Sequence, residues 1–506
     1  MAPTHQHRNL FVNHYFHRLT VACALQQSAV DVAEEEEPLD FSPDGDVDNP
    51  REWPAAFKWT LTVVLTILAF SVTFNCMSLI PVAGRIVTDL AGGKENKNAA
   101  VLLVTIWELG EAAGPLLIAP LSETIGRWPV MVVANGLFVL FTVFSASAPS
   151  VPLFILSRAL MGLVVSSNVL SPAVIGDVFD PERRGSPMSL VMVAPIVGSA
   201  LGPALGGALS ESYGWRAVLW IAAAISTITQ VLLLTCSRET YKVVILRVRQ
   251  LADRKRAIDA GETVVDKFGL DSRSQRAKLL RSIVRPFVVF GSSGVLMALS
   301  FFGSVIFAQM YNINTTLPDI LQVRYGLSPV MTGTALISVS IGSVFSVGAC
   351  NLGLDRIYAH MKASNAGIGQ PEFRLPIVVV GALTQPVAIA LYGWAAELLL
   401  PLPVMLFATG LLGATLMLGF LPLASYVVDA FGLYSASAMT GLIVSRCLAG
   451  TFLPLLTTPL VDGFGYGWGF TVLAVFNLCL APIPMAILRY GHVWRKRCEY
   501  TACVHD

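Results

Sequence analysis

Gly198-Ser199-Ala200-Leu201-Gly202-Pro203-Ala204-Leu205-Gly206-Gly207 is the stretch on which the reading of this chain turns. Gly198, Gly202 and Gly206 recur every four residues, so on a helix they line one face and let a neighbouring backbone come close. Pro203 removes one backbone donor and bends the helix locally. The stretch lies in an uncharged apolar run near 188–210. Such a run crosses a hydrocarbon core of about 30 Å at 1.5 Å per residue. A bent, closely packed helix in lipid is the first expectation.

The rest of the chain agrees with it. Of 506 residues, 54% are hydrophobic and 13% charged, with a mean hydropathy of +0.66. A soluble surface needs about a quarter of the residues charged, so most of this surface must face lipid. Apolar runs of spanning length fall near 60–80, 99–120, 129–147, 152–172, 188–210 and 216–236. A polar stretch, Ser237 to Arg285, follows, and then runs near 287–312, 330–353, 376–396, 402–425, 433–459 and 466–488. This predicts an all-α membrane protein of twelve helices in two sets of six.

Lys and Arg set the orientation, because positive loops stay in the cytoplasm. They number 27 on the side of the termini and 5 on the other (Arg85, Lys94, Lys97, Arg216, Arg324), with Arg158 and Arg446 inside spans. Without the long central loop the ratio is still 14 to 5. The expected organisation is a disordered cytoplasmic tail (1–57), a six-helix half (58–236), a basic cytoplasmic loop (237–285), a second half (286–489) and a short tail (490–506). Residues 1–57 hold four histidines and Glu34 to Glu37 but no apolar core of the length a secretory signal needs. The central loop, from Glu239 through Arg254-Lys255-Arg256, reads as a basic amphipathic helix on the inner leaflet. The eight cysteines form no CxxC pair and read as small apolar residues, with no metal site expected. The one sequon, Asn314-Thr315-Thr316, falls at the outer end of span seven.

Two loops carry related signatures. Ala119-Pro120-Leu121-Ser122-Glu123-Thr124-Ile125-Gly126-Arg127 follows span two, and Gly353-Leu354-Asp355-Arg356 follows span eight. They resemble the two copies of the major facilitator loop signature, G-x-L-a-D-r-x-G-r-k. Arg158-Ala159-Leu160-Met161-Gly162 is similar to the R-x-x-x-G of span four. The glycine-proline run matches g-x-x-x-G-P-x-x-G-G, which in that superfamily marks proton-coupled antiporters. Pro120-Leu121-Ser122-Glu123, Ser237-Arg238-Glu239-Thr240-Tyr241 and Pro371-Glu372-Phe373-Arg374-Leu375-Pro376 look like the fungal drug:proton antiporter branch with twelve spans. The resemblance covers residues 55–490. It implies two pseudo-symmetric halves and loop gating through Glu123, Gly126, Arg127, Asp355 and Arg356. It further implies sealing of the cavity by Gly198, Gly202, Pro203, Gly206 and Gly207. Ala119, Glu123 and Trp128 depart from the signature, which weakens the carry-over of loop gating.

Glu108 and Glu111 lie three residues apart on nearly one face of span two, about 13 and 18 Å deep at 1.5 Å per residue. An ion there costs about 3 kcal/mol, and a carboxyl away from water suits a group that takes up and loses a proton. Arg158 enters from the same side, so the expectation is that protonation of Glu108 or Glu111 competes with pairing to Arg158. Arg446 in span eleven is read as a static partner for a carbonyl or carboxylate. In the resembled fold spans one, four, seven and ten line the cavity. Here they offer Asn75, Asn168, Gln309, Tyr311, Asn312 and Tyr426, with Phe301, Phe302 and Phe307 among them. That mix suits a moderately apolar organic molecule with a few polar groups.

Other classes fit less well. A net charge of +1 excludes a strongly basic nucleic-acid binder. No HExxH, GxSxG, P-loop or paired-aspartate motif occurs, which speaks against an enzyme and an ATP-driven pump. The expected function is proton-coupled export of small, moderately hydrophobic organic compounds such as drugs or fungal secondary metabolites. The proton gradient is the energy source and no cofactor is expected. The expected partners are the organic substrate, protons and the bilayer, with no nucleic acid and a monomer as the working unit. The plasma membrane is the expected location and the vacuolar membrane its alternative. Uptake of a small nutrient by a facilitator or symporter, or a non-transporting sensor, are the rival functions on the same fold.

Overall fold

A computed structural model describes residues 46, 48–180, 183–249, 283–365, 367, 369–495 and 498–502. The expected tail to residue 45 and the central loop over 250–282, including Arg254-Lys255-Arg256, lie outside the described residues. All regular structure among the described residues is helical.

The spanning helices are α1 (Ala55–Met77), α2 (Lys97–Ile125), α3 (Arg127–Ala146), α4 (Val151–Val178), α5 (Gly185–Tyr213) and α6 (Trp215–Cys236). The second half holds α7 (Gly294–Asp319), α8 (Pro329–Ser364), α9 (Leu375–Glu397) and α10 (Leu402–Phe431). The run Ser435–Arg495 supplies the last two. Its 61 residues would reach about 90 Å as one helix, three times the hydrocarbon core. It folds back at Gly465, whose φ of 76° breaks the helix and suits a residue without a Cβ. Gly469 lies against the Leu460 carbonyl, which a straight helix would hold about 13 Å away. We therefore divide the run into α11 (435–464) and α12 (466–495). Glu397, at the end of α9, accepts from the Tyr466 and Gly467 N–H groups and caps α12.

The same pairing occurs twice: α1 with α5, α2 with α4 and α3 with α6, then α7 with α11, α8 with α10 and α9 with α12. This is the pseudo-symmetry of two six-helix halves. Across the halves α2 packs on α11 and α5 on α8. Large apolar side chains such as Val133, Leu140, Ile228, Val387 and Phe407 point outward, where lipid lies. Span seven starts seven residues later than predicted. Ser293 caps α7 by accepting from Leu296 N–H, and the apolar segment before it forms a separate short helix, Ile283–Ser292. Asn314 of the sequon is helical and buried, its amide against Met77 Sδ.

Candidate functional site

The site is built where α2, α4, α7 and α11 meet at mid-depth. Gly110 and Gly114 on α2 and Gly162 on α4 place two backbones in contact, with Gly162 against the Trp107 carbonyl. That contact fixes α2 on α4 and leaves Glu108 facing α7 and Glu111 reaching both α4 and α11. Glu108 is 3% exposed and its Oε1 accepts from Tyr311 Oη on α7 at 2.5 Å. Glu111 Oε1 accepts from Asn168 Nδ2 on α4 at 2.9 Å and from Arg446 Nη2 on α11 at 3.4 Å. The Arg446 guanidinium lies over the Phe307 ring at 4.3 Å, with Phe420 at 5.7 Å. One turn further along, Thr451 Oγ1 donates to the Thr105 carbonyl, again across the halves.

Arg158 does not meet either glutamate, which corrects the expected pairing. It is wholly buried, and its Nη1 and Nη2 donate to the Asn75 and Cys76 carbonyls at 3.1 and 2.9 Å. Those carbonyls belong to the last turn of α1, where no intrahelical N–H can reach them. Its guanidinium also stacks on Trp107 at 4.8 Å. With both terminal nitrogens on carbonyls and the plane on a ring, only its buried Nε is left without a partner, and no carboxylate meets the guanidinium. The cation that meets Glu111 is Arg446, the one read as a static partner.

Of the residues expected to line a cavity, Asn168 is exposed and the other five are buried. Asn75 is held by Arg158 and Thr142. Gln309 and Asn312 bond each other, and Thr457 Oγ1 donates to Asn312 Oδ1. Tyr426 sits in the apolar core of the second half with Leu423 and Val427, not at the cleft between halves. Phe301 is 51% exposed on the lipid face, while Phe302 is core.

The glycine-proline run has two distinct contacts. Gly198, Gly202 and Gly206 receive α1, at Thr73, Met77 and the Ser78 carbonyl. Gly207 instead receives the Pro329 carbonyl of α8, and Gly333 of α8 receives the Pro203 carbonyl in return. A Cβ at either of these two glycines would strike backbone. The run thus fastens α5 to its own half by one face and to the opposite half by the other. Further bonds join the halves on this side: Lys97 to Asp462 at 2.7 Å and Gln322 to the Pro81 carbonyl at 2.6 Å.

At the other end lie the two signature loops. Gly126, at φ 121°, turns α2 into α3, and the Glu239 carboxylate fills the space where its Cβ would stand. Glu239 accepts from the Arg127 and Trp128 N–H groups at 2.9 and 3.2 Å, capping α3. Arg127 reaches Ser122 Oγ at 2.7 Å and Asp177 at 3.4 Å, while Glu123 is exposed. In the second half Arg374 binds Asp429 and Asp355, each at 2.9 Å, and Arg356 is exposed. Arg127–Asp177 and Arg374–Asp429 join the start of the third helix of each half to the end of the fourth. Sequence reasoning missed Asp177, Asp429 and the capping role of Glu239, although Glu239 and Arg374 stood in motifs already noted.

The sequence profile of the Major Facilitator Superfamily matches residues 65–454. The chain is 30% identical over 464 residues to the MFS transporter cpaT of Aspergillus oryzae, covering 91% of this chain and 92% of that one. It is 30% identical over 474 residues to the efflux pump radE of Floropilus chiversii, covering 93% and 87%. Among solved structures, a D-xylose-proton symporter aligns with a TM-score of 0.62 at 19% identity, covering 85% of this chain and 97% of that one. The peptide transporter POT aligns at 0.59 and 16%, covering 88% and 96%. At such identity these two support the fold alone. Relatives and fold agree on a multi-pass transporter and not an enzyme: the chain belongs to the Major Facilitator Superfamily.

Proposed function

We propose that this transporter is a proton-driven exporter of small, moderately hydrophobic organic compounds, coupled through Glu111. The observation that carries the reading is the Glu111–Arg446 contact, an ion pair that joins the two halves at mid-depth. Breaking a buried pair costs about 3–5 kcal/mol when one charge is left uncompensated. A proton on Glu111 removes the charge that holds Arg446. A gradient of one pH unit supplies about 1.4 kcal/mol, and 100 mV of membrane potential about 2.3 kcal/mol per charge. The two together are of the same size as the cost of holding the pair apart, so a proton taken up by Glu111 once this side has opened is sufficient to stabilise the open form.

The glycine-proline contact and an efflux pump among the relatives favour export. The bonds described between the halves run from mid-depth to the end opposite the termini, which supports a form open toward the termini. The excess of Lys and Arg on that side favours cytoplasmic termini, and we assign the plasma membrane as the location. Substrate enters there, against the exposed Asn168 and the Phe307–Phe420 pair at 5.6 Å. The corners at Arg127 and Arg374, with Glu123, Gly126, Asp355 and Arg356, close that end when the opposite one opens. No cofactor beyond the gradient enters this cycle, and a monomer contains all of it.

The test is transport in sealed vesicles with an imposed pH gradient and a panel of hydrophobic compounds. A gradient should drive accumulation, and Glu111→Gln should abolish it in a protein that still folds. Transport indifferent to the gradient in both proteins would make the chain a facilitator.

A further inference from the structure

We infer that the two glutamates of α2 divide the proton work: Glu108 keeps a proton throughout the cycle, and Glu111 carries the single proton that is exchanged. The inference rests on the proton-coupled reading above and extends it to the number of protons.

Charge around the pair is fully accounted for by the elements packed on it. Glu111 comes from the same helix, Tyr311 from α7, Arg446 and Cys447 from α11, Asn168 from α4 and Cys76 from α1. Arg158 is turned to the α1 carbonyls. One guanidinium therefore serves two carboxyls. Carboxyl oxygens of Glu108 and Glu111 and the Cys447 Sγ lie within 4.8 Å of one another. Two carboxylates that close cannot both stay ionised away from water, and the adjacent guanidinium opposes a metal cation in the same place.

One proton makes the group neutral, and the hydrogen bonds say where it sits. Glu111 is met by two donors, Asn168 Nδ2 and Arg446 Nη2, as an ionised carboxylate requires. Glu108 meets only uncharged donors, Tyr311 on Oε1 and the weak Cys447 thiol, while its Oε2, buried beside Gly450, lacks a partner of good hydrogen-bond geometry. An ionised oxygen stripped of donors bears the full desolvation penalty, and a carboxylic acid O–H does not. The proton is on Glu108. When the seam opens, Arg446 departs with α11 and Glu111 takes one proton from the side then exposed. When it closes, Arg446 returns and that proton leaves toward the termini. Glu108 ends as it began. With an uncharged substrate, one positive charge crosses per molecule exported.

The test is a pH titration of the purified full-length protein followed by the infrared absorption of protonated carboxyl groups. Wild type should show one such band that persists to alkaline pH and a second that appears only on acidification. Glu108→Gln should lose the persistent band, and Glu111→Gln the acid-induced one. Tyr311→Phe, which keeps the acid and removes its donor, should shift the persistent band. Loss of the persistent band in Glu111→Gln, or its absence from wild type, overturns the assignment while gradient-driven transport in vesicles still stands. Loss of gradient dependence with the persistent band intact sinks the coupling reading and leaves the resident proton on Glu108.

Discussion

Arg158 and Arg446 are both arginines inside the bundle, and they are held in opposite ways. Arg158 is wholly buried and its donors meet carbonyls at the end of α1, within its own half. Arg446 reaches across the seam to one carboxylate at 3.4 Å, and the buried Nε of each arginine is without a hydrogen-bond partner, so the two differ in what their terminal nitrogens meet. Carbonyls cannot be neutralised, so the first arrangement is fixed whatever the pH. A carboxylate can be neutralised, so the second can be released. A buried cation acts as a switch only when its partner titrates and belongs to a different moving body.

The largest effect expected from this contrast is on folding. Arg158→Ala leaves two buried carbonyls without donors and should destabilise the protein by about 3 kcal/mol or more, read as a fall in thermal unfolding temperature in detergent. Arg446→Ala removes the cation across the seam but leaves Glu111 able to take up a proton in its place, so it should cost less than the roughly 3–5 kcal/mol of an uncompensated buried charge, yet gradient-driven accumulation should vanish. If Arg446→Ala unfolds the protein as Arg158→Ala does, the contrast fails. Gly207→Val sharpens it by a third route, since it touches neither arginine. The new side chain meets the Pro329 backbone and should destabilise the closed seam by about 1–3 kcal/mol, exposing Cys447 to a small thiol reagent. At the bottom of the scale, Asp355→Asn alters an exposed pair, with the Asp355 side chain 84% exposed, and should shift stability by less than about 1 kcal/mol.

Much of the fold was legible because lipid leaves few solutions for an uncharged run of twenty residues. The count of twelve came from length and polarity alone, and even the fold-back at Gly465 lay between two predicted runs. The start of α7 was not legible, since apolar residues before and after Ser293 look alike and a single cap decides between them. At the site, Glu108 and Glu111 stood out because charge in a span is costly. Their partner did not. Choosing Arg446 over Arg158 requires knowing that α2 lies on α11 across the seam, and that the α1 carbonyls claim Arg158 first. Both facts are tertiary. Tyr426 shows the same limit: its place on α10 was readable, but its packing with Leu423 and Val427 in the second-half core was not.

The corner at Gly465 has a mechanical meaning. A single residue joins α11 to α12, and Glu397 of α9 grips the first N–H groups beyond it. There is no loop to absorb play. In the proposed cycle, a tilt of α11 that carries Arg446 away from Glu111 would be passed on to α12 and α9 through this corner, as in a bell crank. Releasing one ion pair would thereby turn the near ends of α9 and α12 together, while the far end of α12 is held separately by Arg495 on Glu372 at 2.7 Å.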